Sequence, residues 1–405
     1  MSSFAYLYVD DKEVFHWRND LDYSIMSLFS KEDIIEASGD EAINIIKSRK
    51  LNVYEGYEDD GENFSIMFFA RRAKELKERL NVLGYSEETF RLFLQEIAGY
   101  ELESVPSVND KQLKKYYSER NHQISELVNA YNGNKKLSKE NKKKLLDILE
   151  YNSCFALYYN LKNIDDMANV TLDISEFAYE GWYDDSMVEF GEAAGNMQRY
   201  SSPPIVLTEG IFDRKVLKES IELLYPHLAN YIKFLDTSYK TEGGASALVK
   251  TLKSFAAAGI SNRIIAIFDN DSAAHEAIST LKMFSLPTNY RVMHYPDIKL
   301  ANSYPTIGPN GNVKMNINGL AGAIELYLGE DTLKNIKGEF RQVQWTGYMN
   351  KLGKYQGELL EKSKIQQAFK DKLKSAQKNN DLIKDQDWHG IKLIIDALIS
   401  NLSKT

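Results

Sequence analysis

The sequence predicts a mixed α/β protein, with an α+β half to about residue 200 followed by a half built on a mostly parallel sheet. Three observations predict it. The first residues alternate apolar and polar side chains as a hairpin does. Ser201-Ser202-Pro203-Pro204 then separates two different patterns. Beyond that break, short apolar runs alternate with amphipathic helical stretches.

In the first half, Phe4, Tyr6 and Tyr8 share one side of an extended chain. Asp10-Asp11-Lys12 supplies a turn, and Val14-Phe15-His16-Trp17 returns. Phe64–Phe69 is a further strand, running into a charged helix from about Arg71 to Leu80. Ser86 is placed to cap a helix reaching about Ala98. Helical periodicity returns over Gln112–Tyr131, and again after Ser138 to Leu161. Residues 165–195 are acidic and aromatic and follow no single period.

Two prolines at the boundary forbid helix and force an extended entry. Ile205–Thr208, Tyr231–Leu235, Arg263–Phe268 and Tyr290–His294 then read as strands. Helices are expected over Arg214–Leu224, Ala245–Ala258 and Ala273–Phe284. The continuous apolar run ending at Phe268 is the kind buried on both faces of a parallel sheet. Asn302–Gly319 is a loop or small hairpin. The remainder is expected to be mostly helical, strongest over Leu359–Lys374 and Trp388–Leu402.

The chain has 405 residues, 43% of them hydrophobic and 27% charged, as a soluble globular protein does. No apolar run approaches the roughly 20 residues of a membrane helix, and the N-terminus does not read as a signal peptide, so a cytoplasmic location without membrane attachment is expected. The single cysteine, Cys154, excludes an internal disulfide and a cysteine-based zinc site. Net charge is −8. Residues 1–204 carry more than the whole of that excess, residues 205–330 balance, and residues 331–405 are net basic. A phosphate-binding surface is therefore expected in the last two segments.

Acidic residues stand where the first and third strands of the second half end. One group is Glu209-Gly210-Ile211-Phe212-Asp213 and the other Asp269-Asn270-Asp271. Ligands of open parallel sheets bind beyond the carboxyl ends of strands, so both groups point to one crevice. Oxygen-only ligands suit Mg²⁺ or Mn²⁺. Asp213 could equally be a first-turn acid satisfied by helix N–H groups. Gly243-Gly244 either offers N–H groups to a phosphate or is a plain loop, and His275 reads as a surface helix residue.

Glu209-Gly210-x-x-Asp213 followed by Asp269-x-Asp271, in alternating strand–helix order, resembles the Toprim domain. Topoisomerases, bacterial primases, recombination mediators and OLD-type nucleases share that domain. The resemblance implies a Rossmann-like Toprim fold over residues 205–330, with Glu209 as general acid/base or metal ligand. It implies Asp213, Asp269 and Asp271 as ligands of Mg²⁺ or Mn²⁺. It also points to Glu325, in an apolar helical stretch, as a later metal ligand. Lys362 or Lys364 is implied as the lysine stabilising transition-state charge, against the alternative of a solvated helix face. Residues 331–405 would then be a helical extension completing the site.

Phe4–Trp17 with Leu21–Ile34 is similar to the domain found ahead of HEPN or Toprim domains in bacterial conflict systems. That implies a sensing or partner-binding domain over residues 1–200. HEPN ribonucleases need an Arg four to six residues ahead of a His. Arg120-Asn121-His122 is too close for this, so no second nuclease site is expected. No G-x-x-x-x-G-K-[ST] phosphate loop accompanies the domain.

Together these readings imply a metal-dependent nuclease cutting DNA or RNA, tRNA included, as an effector of antiphage defence. A protein partner or phage trigger would act through residues 1–200, and a homo-oligomeric state is compatible with the sequence. The alternatives are a non-catalytic Toprim-fold binding subunit and a topoisomerase- or primase-like replication enzyme.

Overall fold

A computed structural model describes residues 3–19, 23–49, 65–103, 111–133, 137–149, 152–179, 203–236, 243–308 and 311–402. The chain forms two compact units, Met1–Ser202 and Pro203–Ser403.

The first unit is built on a sheet of β1 (Phe4–Val9), β2 (Lys12–Arg18), β3 (Ile34–Ser38), β4 (Ser65–Arg72) and β5 (Asn169–Asp173). The order is β2-β1-β5-β4-β3, and every pairing is antiparallel. The N-terminal alternation is the β1–β2 hairpin. β5 is the central strand, and it lies in the stretch where the sequence shows no period. Four of its five residues are buried, because both faces of the sheet are covered, so no in–out alternation marks it. Helix Gly39–Arg49 packs Ala42 and Ile46 on Tyr8, Ile66 and Phe68.

The expected helix start at Arg71 moves to Ala73, because Arg71 and Arg72 extend the ladder to Val170 and Asn169. Ser86 caps helix Glu87–Glu103 through its hydroxyl and the Thr89 N–H, while its own N–H reaches the Thr89 hydroxyl at 2.8 Å. The helix expected to run on to Leu161 breaks in two, Lys139–Leu149 and Ser153–Leu161. The Asn152 side chain caps the second through Phe155 N–H at 2.9 Å.

The second unit opens with β6 (Ile205–Thr208), β7 (Lys233–Phe234), β8 (Ile264–Phe268), the two-residue β9 (Asn270–Asp271) and β10 (Tyr290–His294). The main sheet is parallel throughout, in the order β10-β8-β6-β7. All five residues of β8 are buried. Leu248, Val249 and Leu252 of helix Ala245–Ala257 share a core with Ala274 and Ala277 of helix Ser272–Ser279, against Leu207, Ile264, Ala266 and Phe268. The strand order reverses between β6 and β8. Their carboxyl ends are where an open α/β sheet leaves a crevice.

A second sheet follows, from β11 (Tyr304–Gly308) and β12 (Gly311–Met315). A short β13 (Ala321–Gly322) pairs with β9, and β14 (Val343–Met349) and β15 (Lys354–Leu359) complete the sheet in the order β12-β11-β14-β15. The Asn302–Gly319 segment thus contains a hairpin. The expectation of a helical extension over residues 331–405 needs correction. Its first part is the β14–β15 hairpin, whose Val343, Trp345, Thr346, Tyr348 and Tyr355 are residues that favour a pleated strand. Beyond the short helix Glu330–Leu333, helix resumes only at Lys362, after Glu361 turns the chain at a positive φ of 58°. Helices Lys362–Lys378 and His389–Leu402 then close the unit.

Candidate metal centre

β6 ends at Thr208 and delivers Glu209. Gly210 then starts helix Ile211–Leu224, with Asp213 in its first turn. A Cβ at position 210 would lie 2.6 Å from Asp213 Oδ2, so a larger residue there would displace that carboxylate from its present position. β8 ends at Phe268 and delivers Asp269, with Asp271 beyond it. The two strand ends are joined directly, because the Asp269 N–H donates to Glu209 Oε1 at 2.9 Å. Gly244 N–H donates to the Glu209 carbonyl at 3.1 Å, so the Gly243-Gly244 pair braces Glu209.

The four carboxylates feel one another. Burial pushes the Glu209 carboxyl up to about 7; Asp271 and Asp213 add to the rise, and the Asp269 and Ala245 N–H groups oppose it. Burial likewise lifts Asp213 to about 6, against the Tyr295 hydroxyl that donates to its Oδ1 at 2.8 Å. Asp269 is held well above the ordinary carboxylate range, first by burial and then by Asp213, Glu209, Asp271 and Glu325. Its Oδ1 is buried and has no hydrogen-bond partner among the described residues.

Asp271 is differently employed. It caps helix Ser272–Ser279 through Ala274 N–H to Oδ1, and its Oδ2 accepts from Gln356 Nε2, each at 2.8 Å. Glu325 does not lie on an α-helix. It sits in a single 3-10 turn, Ile324–Tyr327, is buried, and accepts from Gln366 Nε2 at 2.7 Å. Its charge reaches both Asp213 and Asp269.

The two candidate lysines part company. Lys362 pairs with Glu358 at 2.8 Å. Burial works against its ammonium, but Glu358, Glu325 and Asp269 outweigh burial and hold its pKa above the ordinary lysine value. Lys364 is exposed and pairs with Glu361 of the same turn, so the structure does not bring it to the acidic cluster.

The crevice also holds residues that the sequence reading passed over. Tyr295 stands one residue beyond β10, the same strand-end position that singled out Glu209 and Asp269. His294 Nδ1 lies 3.0 Å from the Asp269 carbonyl, and its ring centroid is 4.0 Å from that of His275. His275 is therefore half-buried against the strand end, not a free surface residue. Gln356 and Gln366 come from elements far along the chain, and no local pattern announces them.

The donor set fits a hard divalent cation. It is all oxygen, its charges repel, and one buried oxygen has no partner among the described residues. Among the described residues no three acidic, histidine or cysteine side chains are already drawn together as a metal cage. Mg²⁺ does not require one, since it is commonly held by one or two carboxylates with water and phosphate.

With this geometry in hand, comparison with known families gives one result. Residues 1–198 match the family model HEPN/Toprim N-terminal domain 1. The match covers just under half of the chain. It ends ahead of β6, so it does not cover the carboxylates. No curated protein and no solved structure matches. Among the described residues no helix is long and apolar enough to cross a membrane.

Proposed function

We propose that the second unit is a Toprim-type, Mg²⁺- or Mn²⁺-dependent nuclease and that residues 1–200 are its sensing or partner-binding domain. The observation that carries this reading is the buried Asp269 Oδ1, without a partner among the described residues and set among Glu209, Asp213 and Asp271 where the strand order reverses. Glu209, Asp269 and Asp271 would hold Mg²⁺ or Mn²⁺, which would supply charge neutralisation and Lewis acidity to a phosphodiester.

The chain's own groups have separable tasks. Glu209, as general acid/base or as a metal ligand, stands beside Asp269 at the end of β6. Lys362 places a positive charge beside the cluster, where negative charge develops on phosphate oxygens. Tyr295 orients Asp213, and Gln366 orients Glu325. The match of residues 1–198 favours a conflict-system effector that a phage trigger or partner protein releases.

One observation favours the rival reading, a Toprim-fold binding subunit without catalysis: both Asp271 oxygens already have structural donors. Plaque counts on bacteria expressing wild type or Glu209→Ala distinguish the two. Protection lost in the variant supports an active site. Equal protection from both removes catalysis from the account.

A further inference from the structure

We infer that the β14–β15 hairpin is a stacking platform for the bases of an unpaired nucleic-acid strand. The inference rests on the nuclease reading and names the form of its substrate.

Three aromatic side chains are gathered on one face of this hairpin. Tyr348 and Tyr355 are direct cross-strand partners, so their side chains share a face, with ring centroids 5.0 Å apart. Trp345 stands three residues before Tyr348 and would ordinarily point the other way. The register shifts between Trp345 and Gly347, and this bulge brings the indole round to within 6.0 Å of Tyr355. Tyr348 and Tyr355 each remain 53% exposed, so these two rings serve no core.

Two lysines belong to the same hairpin, and the site adjoins it. Lys354 lies beside Tyr355 and is exposed. Lys351, in the connecting turn, is also exposed and reaches Glu276 at 3.2 Å. The next residue along, Gln356, holds Asp271 and accepts from Ala273 N–H at 3.0 Å, while Ser272 donates to the Tyr355 carbonyl at 2.7 Å. The platform is thus pinned to the strand end that carries the carboxylates.

The occupant follows from the chemistry. Exposed aromatic faces with flanking lysines suit bases stacked along a backbone whose phosphates need countercharge. A duplex hides its base faces, so the strand must be unpaired. Three rings are too small a surface for a stable contact between copies of the chain, which needs about 1,200 Å² or more.

The test measures binding of labelled oligo-dT, oligo-U and a blunt duplex to the full chain carrying Glu209→Gln, by fluorescence anisotropy with Mg²⁺ present. Tyr348→Ala and Tyr355→Ala, added singly, are expected to weaken single-strand binding by about tenfold or more each. The Phe variants should bind like the parent, and duplex binding should change little. Single-strand binding that ignores both Ala changes, or that is absent in the parent, overturns the platform. A shift from dimer to monomer in the Ala variants, with oligonucleotide binding unchanged, also overturns it and assigns the face to a second copy. The two readings fail separately. Tyrosine-dependent binding with no cleavage by wild type removes the nuclease and keeps the platform. Cleavage indifferent to both tyrosines does the reverse.

Discussion

The Asp269 N–H donates to Glu209 Oε1 at 2.9 Å, tying the carboxyl ends of β6 and β8 together through a carboxylate of the candidate site. One bond thereby fixes the spacing of residues that stand 60 apart in the chain. The same bond anchors Glu209 while the Asp269 side chain keeps an oxygen without a partner among the described residues.

A divalent ion bound at this cluster should relieve its mutual repulsion. Millimolar Mg²⁺ or Mn²⁺ is expected to raise the melting temperature of wild type, and chelator to reverse the rise. A ligand at a hundred times its Kd stabilises by about 2.7 kcal/mol. Asp269→Ala should abolish the metal-dependent shift. An equal shift in that variant would place the ion elsewhere.

The two lysines give a sharper contrast than either alone. Lys362→Ala should slow cleavage by roughly 10²–10³-fold, the usual effect of losing one group that stabilises transition-state charge. Lys364→Ala should leave the rate near wild type, since its ammonium is spent on Glu361. Initial rates on one substrate, with melting curves to verify folding, separate the two.

In the first unit, the fully buried Asp33 is shared between Arg71 and Arg79, and Ser30 N–H donates to it at 2.9 Å. Arg79 is buried as well and donates to the Leu28 carbonyl at 2.8 Å. Asp33→Ala removes the charge that both guanidinium groups face. It should destabilise this unit by about 3–5 kcal/mol, read as a lower denaturant midpoint. A loss under about 1 kcal/mol would show that water compensates the pair.

Asp173, buried on central strand β5, provides a pH signature. Burial lifts its carboxyl to about 6, although Ser175 donates to it from both N–H and hydroxyl. Because the folded value lies above the unfolded one of about 3.9, the stability it contributes is fully present below pH 4. That contribution is lost as pH rises through 6. Asp173→Asn keeps the acceptor oxygen without the charge. It should match wild type near pH 4 and exceed it at pH 8, by on the order of 3 kcal/mol. Parallel melting curves across that range decide it.

Much of the second unit was legible because its signals are local. Two prolines mark its start, short apolar runs mark β6, β8 and β10, and acids sit directly beyond two of those strands. The β14–β15 hairpin was not legible: Gly347 and the bulge at Trp345 break the period of two that identifies a strand. β5 escaped for the opposite reason, being buried on both faces. Within the site, Glu209, Asp213 and Asp269 are readable as strand-end acids. Tyr295 could have been found by the same rule applied to β10. Gln356 and Gln366 could not, because only the tertiary fold sets them against Asp271 and Glu325.

The central claim, that these carboxylates form a metal-dependent phosphodiester site, is tested most directly by a cleavage assay. Purified wild type and Glu209→Ala are incubated with plasmid, single-stranded DNA and total tRNA, each with Mg²⁺, with Mn²⁺ and with chelator. The account predicts cleavage of at least one substrate by wild type with metal, none with chelator and none by the variant. Cleavage by Glu209→Ala at the wild-type rate, or cleavage that persists in chelator, would contradict it.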